Sequence, residues 1–249
     1  MADRRDWGND IRDNWGDHRN DFWNNFHNDF HRPGWCDNYP GINHGFWNCN
    51  NRYAYGWWTA ATVGGLTGWW AGSGWGEPMY YDYGTGGNVY YEGDNVYYNG
   101  QDVGTSADYA AQAQQLADSG AAQLAQPVAN ENQEEQWLPL GVFAVSTSKD
   151  ETSPTFVMQL AVNKQGTISG TMFNTVTKKS KPIQGAVDPK TQRAAWFAGD
   201  NKDTIAETGI YNLTKDETSV LVHFGNDRTQ EYMMVRLPPP EEAKAKSGA

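Results

Sequence analysis

Ser146 and Lys149 have the types and spacing that acyl-transfer chemistry could use. They form an SxxK pattern, which in some enzymes places a serine nucleophile beside a lysine base. Those enzymes hold the pattern at the start of a helix, whereas here it ends a predicted strand and the partner motifs are missing. We therefore interpret the pattern as a chance match.

His27 and His31 are four residues apart near the end of a predicted helix, so both could bind one metal ion. His18 and His44 lie in the same region, but no Cys or acidic residue completes an obvious ligand set. We interpret the histidines as part of a solvated polar face and predict neither a metal nor a cofactor. The chain also lacks the GxSxG, Walker A and dinucleotide-binding motifs, which favours a non-enzymatic protein and leaves a hydrolase as a distant alternative.

Cys36 and Cys49 are the two cysteines of the chain. Their spacing fits no zinc pattern because a CxxC pair is missing. A disulfide formed in an oxidising compartment and a pair of free thiols in a reducing cell both remain open.

The composition limits the classes of partner. The formal net charge is -11 and the basic residues are scattered, so we expect no nucleic-acid partner. No run approaches the roughly 18 apolar residues of a membrane-spanning helix, and no apolar signal segment follows Met1. We expect either a cytoplasmic protein or one whose true start lies upstream of this Met1.

Aromatic residues make up 14% of the chain, and they concentrate in its first hundred residues. Apolar spacing predicts an amphipathic helix over 3–31, within a first segment of residues 1–32. Residues 33–78 form a second segment rich in Trp, Gly and Asn. Within it, residues 57–76 carry a glycine every fourth position: Gly64, Gly68, Gly72 and Gly76. This stripe predicts either a glycine zipper that associates with a membrane or with itself, or a Gly-rich loop packed on the protein.

Residues 79–122 contain an internal repeat, NVYYEG followed by NVYYNG. The repeat predicts a β-hairpin, and it is followed by a helix over 106–119 with Ser106 as N-cap and Gly120 after its end. Residues 123–136 read as a polar linker. Residues 239–249 read as a disordered tail.

The fold class is predicted to be mainly β, because residues 137–238 alternate polar and apolar positions in short runs. The predicted strands are 141–148, 155–164, 166–174, 180–188, 193–199, 205–214, 218–226 and 230–237. Their connections are too short for parallel crossovers, so they predict an antiparallel up-and-down barrel of about eight strands. Glycines within strands (Gly170, Gly185 and Gly209) predict the bends that closure requires.

A barrel of this size is either filled by side chains or holds one small ligand. The candidate lining residues, whose inward orientation the alternation alone does not fix, are Phe143, Met158, Met172, Trp196, Tyr211 and Met234. A second binding hypothesis concerns the aromatic N-terminal half. Its Trp and Tyr rings, with Asn and Asp nearby, could form a sugar-binding face or simply a core.

Several strings resemble proteins of large-genome planctomycetes that are labelled "mu-protocadherin" or "cell surface protein". They are YYDYGTGGNVYYEGDNVYYNGQ, LPLGVFAVS, QLAVNKQGTISGT, KTQRAAWFAGD and ETGIYNLTKDETSVLVHFG. The resemblance covers about residues 55–237 and implies a cell-envelope location. It implies no cadherin-type adhesion or calcium site, because the DxD and DxNDN signatures are missing, and it carries no catalytic residue. In strand rhythm the β domain also resembles the avidin-type and lipocalin-type barrels. The leading hypothesis is therefore a non-enzymatic envelope protein with a structural or interaction role, and the alternative is a small-ligand or carbohydrate-binding barrel.

Overall fold

The computed structural model describes six segments of the chain, namely residues 6–15, 60–84, 86–126, 137–148, 151–226 and 228–238. Cys36, Cys49 and the four histidines before residue 45 lie outside these segments, as do most of the predicted N-terminal helix and the predicted tail. The disulfide and histidine hypotheses therefore stay predictions.

Three helices lie within the described residues. Helix α1 includes residues 6–15, α2 is Val63–Trp69 and α3 is Ser106–Leu124. None of the described helices is long and apolar enough to cross a membrane.

Eleven strands follow in chain order, the first three in a small sheet and the other eight in a barrel. The small sheet contains β1 (Val89–Glu92), β2 (Asn95–Tyr98) and β3 (Gln101–Thr105). The barrel contains β4 (Trp137–Ser146), β5 (Phe156–Asn163), β6 (Thr167–Asn174), β7 (Lys179–Val187), β8 (Arg193–Ala198), β9 (Asn201–Gly209), β10 (Glu217–Phe224) and β11 (Arg228–Arg236).

The barrel is closed and purely antiparallel. Each strand pairs with its neighbours in the chain, and β11 pairs with β4 through registers such as Met234 with Val145, so the sheet has no free edge. This confirms the predicted mainly β fold with an eight-stranded up-and-down barrel. The alternation on β5 explains why, because Met158 and Leu160 fill the interior while Val157 packs under α1 on the outer wall.

The prediction of a strand over 205–214 is wrong for residues 210–214. Strand β9 ends at Gly209, and Ile210–Thr214 form a 3-10 helix. Asn212 explains the change, because its amide group binds the backbone of Tyr81 and the hydroxyl of Thr218 and so ties the turn to the segment before the small sheet and to β10. The alternation of polar and apolar residues does not reveal such long-range hydrogen bonds, so it could not predict where β9 ends.

The predicted strand glycines are not the positions of the register shifts in the barrel. The register shifts occur at Pro139/Gly141 and Trp196/Ala198 rather than at Gly170 or Gly185. Gly185 instead permits close approach, since a Cβ there would lie 2.1 Å from the carbonyl oxygen of Ala195.

Helix α3 is longer than predicted and begins one residue earlier than the Ser106 cap implied. Thr105 is the N-cap and forms a capping box with Asp108. Gly120 does not end the helix but lies within it, facing β7, where an added Cβ would stand 1.7 Å from the carbonyl oxygen of Gly185. The helix continues because this glycine lets it pack directly on the barrel backbone.

The region before α3 contains the predicted hairpin and one further strand. The repeat forms β1 and β2 in register Tyr90 with Tyr97, and a third strand, β3, joins after the turn at Asn99 and Gly100, both with positive φ. The small sheet therefore has three strands.

The glycine stripe does not form one helical face. Helix α2 ends at Trp69, and Gly72 has a φ of 81°, a left-handed conformation that does not continue a helix. Gly64 and Gly68 lie on the exposed side of α2, with nothing within 4 Å of the position of an added Cβ. Leu66, on the opposite side, is fully buried against the barrel core.

Candidate functional site

One end of the barrel is closed by aromatic and aliphatic side chains. Leu66 and Trp70 of the α2 segment pack into the same core cluster as Tyr211 of the 3-10 helix. The indole nitrogen of Trp70 donates to the carbonyl oxygen of Lys164 at 3.2 Å, and the hydroxyls of Thr67 and Tyr211 lie 3.2 Å apart. We refer to this end as the closed end.

Arg236 links the strands at the closed end. Its guanidinium lies over the ring of Phe143, with its central carbon 4.7 Å from the ring centroid, and donates to the carbonyl oxygens of Leu140 and Leu213. Burial lowers the pKa of Arg236 to about 10, and nearby Asp216 partly opposes that effect. The Arg236 side chain therefore supplies hydrogen-bond donors to two buried carbonyl oxygens that would otherwise have none.

The opposite end of the barrel, which we call the open end, has a different character. Exposure of the inward-facing side chains rises toward this end, from 0% at Leu160 to 9% at Met158 along β5 and from 1% at Val220 to 7% at Val222 along β10. The next inward positions are only half-buried while still packing on the core cluster, and they are Phe156, Met172, Ala198, Phe224 and Tyr232. These five residues, contributed by five different strands, form an apolar mouth.

All six predicted lining residues belong to this interior. Four of them are at most 1% exposed and fill the middle of the barrel and its closed end, namely Phe143, Trp196, Tyr211 and Met234. Met158 and the half-buried Met172 lie toward the mouth. Side chains already occupy the space around the other four residues. The position that remains for a ligand is therefore the open end.

A second group of polar residues lies on the outer barrel wall, under the small sheet and α3. Arg193 donates to Glu207 through Nε at 3.2 Å and Nη2 at 2.5 Å, and the latter nitrogen also donates to the carbonyl oxygen of Tyr109 at 3.0 Å. His223 Nε2 lies 3.4 Å from Glu207, and its Nδ1 lies 2.8 Å from the hydroxyl of Thr229. We call Arg193, Glu207 and His223 the wall cluster.

Electrostatics keep Glu207 ionised despite its burial. Burial alone raises the pKa of Glu207, but the adjacent Arg193 and His223 outweigh it and hold that pKa at about 2. Burial and the Glu207 charge raise the pKa of Tyr83 and Tyr109 well above the usual value, so both phenols stay protonated. The arrangement is a buried Arg193–Glu207 ion pair covered by the neutral rings of Tyr83 and Tyr109.

The wall cluster is not built for catalysis. Glu207 is 0% and His223 is 1% exposed, so neither side chain presents an atom to a substrate. The SxxK serine is equally occupied, since the Ser146 hydroxyl donates to the carbonyl oxygens of Ser148 and Glu151. Among the described residues, no group of three or more His, Cys, Asp and Glu side chains is arranged to hold a metal ion.

The aromatic rings in and around the small sheet divide between core and surface. Tyr81, Tyr83 and Tyr109 pack with Leu221 of the barrel wall. Tyr90 and Tyr97, from the repeat, stack on the outer face with ring centroids 5.3 Å apart and an interplanar angle of 9°. Stabilisation of the hairpin is a sufficient reason for such a cross-strand pair. Sugar binding at these rings stays a prediction.

Sequence reasoning missed the wall cluster. Arg193 and Glu207 are 14 positions apart, and each stands among ordinary strand residues. A weak signal was available, because Glu207 occupies a position flanked by Ala206 and Thr208 inside a run that alternation assigns to a strand. No protein-family model, curated protein or solved structure matches this chain.

Proposed function

We propose that this protein is a non-enzymatic binding protein whose barrel takes up a small apolar ligand at its open end. The observation that carries the proposal is the contrast between the two ends. At the closed end the α2 segment and the 3-10 helix cover the core with buried Leu66, Trp70 and Tyr211, whereas at the open end the strands themselves supply the half-buried Phe156, Met172, Phe224 and Tyr232.

Physical chemistry supports this choice of site. Apolar side chains that stay partly in contact with water gain free energy when a ligand covers them, by roughly 25 cal/mol per Å² of apolar area removed from water. Mouths of β-barrels are among the preferred positions of small-ligand sites. The closed antiparallel wall also makes the site rigid, which lowers the entropic cost of binding.

The test uses the full chain and the neutral apolar fluorophore N-phenyl-1-naphthylamine. We expect saturable binding, seen as a blue-shifted and enhanced emission. Met172→Glu should weaken that binding by at least about tenfold, because it places a charge among the apolar groups that contact the ligand.

The matched control is Val176→Glu, which puts the same charge on the β6–β7 turn at a residue that is 74% exposed. It should leave binding unchanged, and the thermal midpoint of each variant verifies folding. Non-saturable binding to the wild-type protein, or equal affinity in both variants, would overturn the proposal.

We further propose that the protein works in the cell envelope. The support is the resemblance of residues 55–237 to planctomycete cell-surface proteins. Fractionation of the source cells should place the full-length chain in the envelope fraction, and recovery in the cytoplasmic fraction would contradict this location. An assembly role through residues 57–76 remains the other reading, and analytical ultracentrifugation of wild type and Gly68→Leu would reveal it as a change in oligomeric state.

A further inference from the structure

Two cations stand at the rim of the open end. Lys181 pairs in register with Met172, and Arg228 pairs with Phe224, so both cations share the inward-facing rows of their strands. Both residues are exposed. Their position places positive charge directly beside the apolar mouth.

The side chains of these cations lie along the mouth. The guanidinium carbon of Arg228 is 4.0 Å from the ring centroid of Phe224. The aliphatic stem of Lys181 runs past Gly199 in the β8–β9 turn, with its Cδ 3.1 Å from the position that a Cβ on Gly199 would take. The rim is therefore covered by the aliphatic stem of Lys181 on one side and by the guanidinium of Arg228, stacked on an aromatic ring, on the other.

Neither cation has an ion-pair partner within the described residues. Lys202 pairs with Asp118 at 2.8 Å and Lys215 pairs with Asp82 at 3.7 Å, whereas these two cations lie over or beside apolar groups of the mouth. What distinguishes Lys181 and Arg228 is their register position directly beside the half-buried Met172 and Phe224, which puts positive charge next to apolar side chains in a chain with a formal net charge of -11. Their electrostatic complement is an anion that is attached to an apolar group.

We propose that the ligand of the open end is a single-chain anionic amphiphile. Its hydrocarbon chain lies among Phe156, Met172 and Tyr232, and its anionic head group meets Lys181 and Arg228. This inference rests on the proposed function, because it names the chemical class of ligand for the same site.

The test compares three probes with the same twelve-carbon chain, namely dodecanoate, dodecanol and dodecyltrimethylammonium. Each is titrated by calorimetry into the full-length protein below its critical micelle concentration. We expect dodecanoate to bind at least about tenfold more tightly than dodecanol, and the cationic probe to bind most weakly. The preference should fall as salt is added, since the rim charges are exposed to screening.

The double variant Lys181→Gln/Arg228→Gln should remove the preference for dodecanoate while leaving the affinity for dodecanol unchanged. Lys190→Gln/Lys215→Gln, which removes two positive charges from turns at the closed end, is the charge-matched control and should keep the preference. Equal binding of dodecanoate and dodecanol to the wild type, or tighter binding of the cationic probe, overturns the anionic class but spares the proposed function. Failure of all three probes to bind overturns the proposed function itself.

Discussion

The carboxylate of Glu207 is held by the guanidinium of Arg193 on the outer wall of the barrel, beneath the ring of Tyr109. The guanidinium carbon lies 3.7 Å from the Tyr109 ring centroid, and Glu207 is 0% exposed. This pair joins strands β8 and β9 to helix α3. Removing one partner leaves the other charge buried and uncompensated, which is far more costly than the pair itself is stabilising.

We therefore expect Glu207→Gln or Arg193→Met to lower the free energy of unfolding by about 3–5 kcal/mol. The double variant should lose less than the sum of the two single losses, because neither charge is then left without its partner. Urea denaturation followed by tryptophan fluorescence measures all three. Lys202→Met, which breaks an ion pair whose side chains are 57% and 42% exposed, should cost at most about 1 kcal/mol and serves as control. Equal losses for the buried and exposed pairs would contradict this account.

The same cluster gives stability a defined acid dependence. The pKa of Glu207 is depressed from 4.5 to about 2 in the folded protein, so the folded state binds the proton less readily than the unfolded chain does. The contribution is therefore present in full above about pH 4.5 and is lost as pH falls toward about 2. Thermal midpoints measured from pH 6 to 2 should drop across this window in the wild type and drop less in Glu207→Gln. An identical acid profile for both proteins would refute the assignment.

Two glycines in helices should respond oppositely to the same substitution. Gly120→Ala should destabilise the protein by about 1–3 kcal/mol, because the new methyl group collides with the carbonyl oxygen of Gly185 and forces α3 away from the barrel. Gly68→Ala, on the exposed side of α2 with nothing within 4 Å, should be neutral or stabilising by up to about 1 kcal/mol. Thermal unfolding followed by circular dichroism separates the two outcomes. A stabilising Gly120→Ala would mean that α3 does not rest on the strand backbone.

Arg236 should be essential to the closed end. Arg236→Met keeps the apolar stem over Phe143 but leaves the carbonyl oxygens of Leu140 and Leu213 without their donor, so we expect a loss of about 3 kcal/mol. Hydrogen exchange should accelerate first in the 3-10 helix at residues 210–214. Lys215→Met, which removes an exposed pair with Asp82, is the control and should shift stability by less than about 1 kcal/mol. Unchanged exchange in Arg236→Met would show that other contacts hold this end.

The wrong details of the prediction share one cause. Asn212 ends β9 early through bonds to Tyr81, and Gly120 extends α3 through its contact with Gly185. In both, the deciding partner lies more than 60 positions away in the chain. Local propensity assigned Asn212 to a strand and Gly120 to the end of a helix. Tertiary contacts overrode both assignments.

The amino-acid sequence by itself determined the class of fold, because period-two alternation and short turns are local properties that allow only neighbouring antiparallel strands. It also named Phe143, Met158, Met172, Trp196, Tyr211 and Met234 as candidate lining residues, while their inward orientation follows only from the closed barrel. Only the tertiary structure decided which end of the barrel is closed, since that depends on where the distant segment with Leu66 and Trp70 packs. The same holds for the wall cluster and for the cations at the mouth, whose positions follow from strand register and barrel closure. Burial and charge pairing are properties of surfaces that meet only after the chain has folded.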